Sequence, residues 1–171
     1  MNKFPIFSGK GSTLHNLSSI LTQFHVPELI TLSVKKLKEL SYEDLREHLE
    51  RQLGSSLIAV RSACTLEDNE IQSYAGAFES VLGVDIQYAS QLTGAIERVI
   101  QSFEKYASTY FIVEEQSIIF QKQVVDVLLS GVLFTRQLNN GAPYYCINYD
   151  DISGKTDTVT SGNGVHSNKT V

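Results

Sequence analysis

Apolar positions in the first 109 residues recur mostly at helical spacing, with two short extended runs between the helices. In "STLHNLSSILTQF" the apolar residues are Leu14, Leu17, Ile20, Leu21 and Phe24, and Ser12 stands where an N-cap belongs. Pro27 breaks that pattern, and "ELITLSV" reads as extended. "SYEDLREHLERQLG" follows as a polar helix. Ser41 and Asp44 have capping-box spacing, Leu45, Leu49 and Leu53 share one face, and Gly54 is placed to end it. "SLIAVRSA" reads as a short strand, with Arg61 delivered at its end. The longest predicted helix is "DIQYASQLTGAIERVIQSFEKY", capped by Asp85 and buried along Ala89, Leu92, Ile96, Val99, Ile100 and Phe103.

From Tyr110 onward the period becomes strand-like. "FIVEEQ", "SIIFQKQVV", "SGVLFTRQ", "YYCINYDD" and "TDTVTSG" are rich in β-branched and aromatic residues and are separated by turn signals such as Asn140-Gly141. Helices followed by a run of strands predict an α+β fold with a mainly antiparallel sheet. The expected division is a helix-rich part over 1–109 and a β-rich part over 110–171.

Composition narrows the function classes. The 171 residues are 42% hydrophobic and 19% charged, as in a globular domain able to bury a core. A formal net charge of -5 argues against nucleic-acid binding through a basic face. The opening "MNKFPIFSGKG" lacks the apolar stretch of a secretory signal, and no apolar run is long enough to span a membrane. Cys64 and Cys146 form no CxxC pair, so neither a disulfide framework nor a cysteine zinc site is expected, and a reducing cytoplasm is the simplest compartment.

Two cations stand out as candidate chemistry. Lys10 lies in "SGKG" at the mouth of the first helix, where amide N–H groups and the dipole favour an anion. On the tetrapeptide alone a solvated turn lysine is the favoured reading, and the GxxxxGK[ST] spacing of a Walker A loop is absent. Arg61 must meet solvent, an acid or an anionic ligand; Glu67 and Asp68 are the local acids, while Ser62, Thr65, Ser73, Ser80 and Gly76 supply hydroxyls and close backbone approach. Gln121, in a strand that should be largely buried, needs a partner for its amide. Thr135 and Arg136 repeat the pattern of a strand delivering an arginine at its rim. His15, His25, His48 and His166 have no metal-ligand spacing, and Glu114 and Glu115 would point to opposite faces of a strand, so no metal site or acid/base pair is expected.

Taken in order, these segments resemble the ATP-grasp region of pyruvate phosphate dikinase and phosphoenolpyruvate synthase. "FSGKGSTLHNL" is similar to the family's glycine-glycine-lysine start, and "IAVRSACTLEDNEIQSYAGAFESVLGV" to its VRSS…ED…S[FY]AG…T.LNV block. "IIFQKQVV" matches its VVVQxMV strand, "SGVLFTRQ" its GVxFTR[ND]P strand, and "TDTVTSG" its V[ST]G ending. Ser8, Ala77, Gln123 and Leu138 depart from the family pattern and mark a divergent branch.

The resemblance implies an ATP-grasp-like N-terminal region, with Lys10 and Arg61 holding ATP phosphates and Ser80 where the family usually has a phosphate-contacting threonine. It implies that Gln121 sits near the adenine, with Gln123 and Val124 offering backbone groups to its edge. Such enzymes use ATP with Mg2+, commonly release AMP and phosphate, and pass a phosphoryl group through a histidine of another domain to a small acceptor. "INYDDISGKTDTVTSG" resembles relatives tied to bacterial surface polysaccharides, including a glutamine kinase; pyruvate is the other expected acceptor. The family's acidic and LQxR-type segments lie beyond the V[ST]G ending, so the chain is expected to be the N-terminal piece of a longer phosphotransferase, inactive alone and completed by C-terminal domains of the same polypeptide. The competing expectation is a non-catalytic nucleotide- or partner-binding module.

Overall fold

The computed structural model describes residues 9–64, 78–108, 110–137, 139–161 and 168–170. The chain divides into two compact units, 1–123 and 124–171. The first is an α+β unit built on a four-stranded antiparallel sheet: β1 (Leu29–Ser33), β2 (Leu57–Ala63), β3 (Ser80–Asp85) and β4 (Ser117–Lys122), in spatial order β1-β4-β2-β3. Because β4 is hydrogen-bonded between β1 and β2, the first unit extends past residue 109 to take it in.

Alternation along these strands gives the sheet two different faces. Ile58, Val60, Ile118 and Phe120, all fully buried, belong to one core with the leucine stripe of α3 (Tyr42–Leu53) and the apolar stripe of α4 (Ala89–Glu104). Burying each such side chain stabilises the fold by roughly 1.5–3 kcal/mol. Phe78, Phe103 and Tyr106 close this core with tilted ring contacts, the Phe78 ring centroid lying 5.7 Å and 5.0 Å from the other two. On β3, Val81 and Val84 both face the core although strict alternation would separate them. An extra residue opposite β2 resolves this, and Gly83, at φ 66°, supplies the left-handed backbone.

The caps of α3 form as its sequence dictates. Ser41 Oγ accepts from the Asp44 N–H at 3.1 Å, and Gly54, in the left-handed region, donates its N–H to the Glu50 carbonyl. Other boundaries differ from expectation. The first helix, α1 (Lys10–Ile20), is preceded by Gly9 at φ 98°, so Ser12 lies inside it, and Ile20 and Phe24 are exposed rather than buried. A five-residue helix absent from the sequence reading, α2 (Val34–Lys38), is capped by Ser33 and buries Val34 and Leu37. Asp85 caps no helix: it ends β3, and its carboxylate accepts the Gln87 N–H at 3.0 Å while α4 begins after Tyr88. Ala89, expected in the buried stripe, is exposed.

"FIVEEQ" is not a strand. Val113–Glu115 is a 3-10 turn in which Gln116 donates from Nε2 to the Ile112 carbonyl at 2.9 Å, and Lys38 draws Glu114 into an ion pair of 2.8 Å. The two glutamates therefore lie on a turn instead of alternating across a sheet.

The second unit is a three-stranded antiparallel sheet of β5 (Ser130–Phe134), β6 (Cys146–Asp150) and β7 (Asn168–Thr170), in that order. The segment expected as a final strand holds a one-turn helix, α5 (Thr158–Ser161). Its anchor is Asp150, almost fully buried, whose carboxylate accepts the Ile152 N–H at 2.8 Å, the Ser153 N–H at 3.0 Å, the Thr158 hydroxyl at 2.6 Å and the Ser153 hydroxyl. The Ser153 and Thr158 hydroxyl bonds, then the two backbone bonds, hold this carboxyl well below the usual aspartate range.

Candidate phosphate-binding face

The face of the first sheet that turns away from α3 and α4 carries the candidate site. Thr31, Ile119, Arg61 and Ser80 lie directly opposite one another across the four strands, so their side chains share that face. Helix α1 packs onto the same row through Gly11: a Cβ there would lie 3.0 Å from Thr31 Oγ1 and 3.6 Å from Ile119 Cγ1. That close approach sets the N-terminus of α1, and Lys10 with it, on Arg61's side of the sheet.

A cavity of about 300 Å³ opens at this point, lined by Lys10, Gly11, Ser12, Thr31, Ser117 and Glu115 among others. Among the described residues no side chain caps the helix end that faces it, and its first turn carries no acidic residue. The first-turn N–H groups of a helix have no intrahelical acceptor and carry the positive end of the dipole. With a lysine added, the chemistry offered is that of an oxyanion site.

Arg61 lies inside β2, with Ser62 and Ala63 still to follow, rather than at the strand's end. It is half-buried, and its Nη1 donates to Gln121 Oε1 at 3.1 Å. Gln121 sits on β4 opposite Ala59, diagonal to Arg61, and the small alanine leaves room for the guanidinium to reach across. The Gln121 amide, itself only 8% exposed, donates from Nε2 to the Pro27 carbonyl at 3.3 Å. Its expected need for a partner is thus met on both atoms. Along the strands, the cavity rim at Ala63 and Ser117 lies on one side of Arg61 and Gln121 on the other, so Arg61 stands between the lysine end and the glutamine end of the face.

Ser80 is exposed at the start of edge strand β3, in register with Arg61. Gln123 follows β4; its N–H donates to the Leu57 carbonyl at 3.1 Å and its side-chain oxygen accepts the Gly83 N–H at 3.3 Å. Val124 is the first residue of the second unit and is half exposed. Arg136, also in the second unit, closes its own turn by donating to the Gly141 carbonyl at 3.1 Å. Glu67, Asp68, Thr65, Ser73 and Gly76 lie outside the described residues, as does His166. Thr31, Gly11 and Pro27 were not candidate site residues by sequence. Thr31 was accessible in principle, since alternation sets it opposite Ile30 and Leu32, whereas the other two require the packing and the fold.

An α+β domain with a lysine-led helix end and an arginine on one sheet face defines a class suited to a polyanionic ligand. The family model of the pyruvate phosphate dikinase AMP/ATP-binding domain matches residues 11–150, most of the chain. This chain therefore belongs to that family, an ATP/AMP-binding region within a kinase-type group of phosphotransferases. No curated protein matches it. No helix among the described residues is long and apolar enough to cross a membrane.

Proposed function

We propose that this chain is the ATP-binding portion of a phosphoenolpyruvate-synthase-like phosphotransferase, with Lys10 and Arg61 on the phosphates of one nucleotide. The observation that supports it is the common face: Gly11 on Thr31 and Ile119, and Ile119 opposite Arg61, put both cations on one side of the sheet. Phosphoryl transfer asks little covalent chemistry of the protein and much positioning and charge neutralisation. Lys10, the α1 N-terminus and Arg61 are the groups for that task, and Ser80, opposite Arg61, adds a hydroxyl.

On this reading the phosphate side of the site lies on the first unit, at its Lys10 and Arg61 end. Gln121 marks the adenine end, and the main chain at Gln123 and Val124 meets the base edge. The phosphoryl group passes through a histidine of another domain to a small acceptor, glutamine amide or pyruvate, in the cytoplasm. Mg2+ enters with the nucleotide, chelated by its phosphates.

Titration calorimetry with Mg-ATP tests the reading. Lys10→Ala and Arg61→Ala should each weaken binding about tenfold, the scale of a charge-assisted hydrogen bond. Unchanged affinity in both variants would remove the phosphate assignment.

A further inference from the structure

The Arg61 guanidinium hangs on a fixed chain of two hydrogen bonds, Pro27 carbonyl to Gln121 Nε2 at 3.3 Å and Gln121 Oε1 to Arg61 Nη1 at 3.1 Å. Its orientation is single-valued. Turning the Gln121 amide over would set its NH2 against the guanidinium, donor to donor, and its oxygen against the Pro27 carbonyl, acceptor to acceptor. The amide is 8% exposed, so water cannot readily replace either partner, and losing one bond leaves a buried polar group unsatisfied.

We propose that Gln121 is a positioning residue for phosphate recognition: it acts through Arg61, setting the guanidinium, and makes no readout of the base. This rests on the assignment of Arg61 to the phosphates. The bond uses one of the five guanidinium donors, so the planar fork is held at one corner while the group keeps the character needed to meet phosphate oxygens. Holding a long, rotamer-rich side chain in place before the ligand arrives removes part of the ordering cost of binding. An adenine-reading glutamine behaves differently, because its loss would weaken nucleosides and nucleotides alike.

The test is a double-mutant cycle on the 171-residue chain, read by calorimetry with Mg-ATP and by ligand-observed NMR with adenosine, which has no phosphate. Gln121→Leu, which removes both bonds at similar volume, should weaken ATP about tenfold and leave adenosine unchanged. In the Arg61→Ala background it should have no further effect on ATP, since nothing remains to position. Gln121→Glu is the second variant: it gives up the donor to the Pro27 carbonyl but its carboxylate pairs with Arg61 and competes with phosphate, so ATP affinity falls while adenosine affinity holds. The proposal is overturned if either variant weakens adenosine as much as ATP, or if the ATP loss of Gln121→Leu persists in full without Arg61. If Arg61→Ala alone leaves ATP binding intact, the phosphate assignment itself fails, and that outcome is separate.

Discussion

Gly11 of α1 packs against Thr31 of β1 so closely that a Cβ on the glycine would lie 3.0 Å from Thr31 Oγ1. Bulk at residue 11 should therefore lift the helix and carry Lys10 away from the face that holds Arg61. Gly11→Ala should be nearly neutral, because a gain in helix propensity of up to about 1 kcal/mol offsets a contact that Thr31 can relieve by rotating. Gly11→Val, with two further methyls, should cost about 1–3 kcal/mol in urea unfolding and weaken ATP binding in calorimetry. Equal ATP affinity in the valine and wild-type proteins would show that the position of α1 does not matter to the site.

Gly131 on β5 has a harder neighbour. A Cβ there would lie 2.6 Å from the Asn148 main-chain oxygen, and backbone in a paired strand cannot swing aside. Gly131→Ala should destabilise the second unit by at least about 1–3 kcal/mol. Hydrogen exchange would register the loss in the amides of β5 and β6, with the first sheet keeping its protection.

Acid should loosen the second unit through Asp150. Its carboxyl is depressed in the folded state by hydroxyl and backbone hydrogen bonds to the charged form, the Ser153 hydroxyl first. A depressed acid contributes stability that is present above the unfolded value, roughly 4, and is lost as pH falls through the lower folded value. Asp150→Asn should flatten the dependence of β6 amide protection on pH below about 4 and lower protection at neutral pH. A wild-type profile retained in the asparagine variant would assign the acid sensitivity elsewhere.

The α3 cap gives a control far from the site. Ser41→Ala removes the acceptor of the Asp44 N–H and should cost about 1 kcal/mol in thermal or urea unfolding. ATP affinity should not change, because the helix packs on the other face of the sheet.

What the sequence made legible follows the strength of local signals. α3 could be read nearly to the residue because Ser41, the leucine stripe and Gly54 agree. α2 escaped because five residues carry less than two turns of pattern, and β3 was obscured by the bulge that puts Val81 and Val84 on one side. "TDTVT" looks like a strand by its β-branched residues, yet the Thr158 hydroxyl is tied to Asp150 and tertiary anchoring overrides propensity. For the site, the flanking glycines made Lys10 visible at a helix mouth. The link between Arg61 and Gln121 could not be read, because it depends on the register of two strands 60 residues apart in sequence.

The central claim is that Lys10 and Arg61 meet the phosphates of one nucleotide, and affinity measured against phosphate number tests it most directly. Calorimetry with AMP, ADP and ATP should show wild-type binding strengthening with each added phosphate, and a rise reduced by about tenfold in each of Lys10→Ala and Arg61→Ala. If both variants keep the full wild-type rise from AMP to ATP, the two cations do not serve the phosphates and the account is wrong.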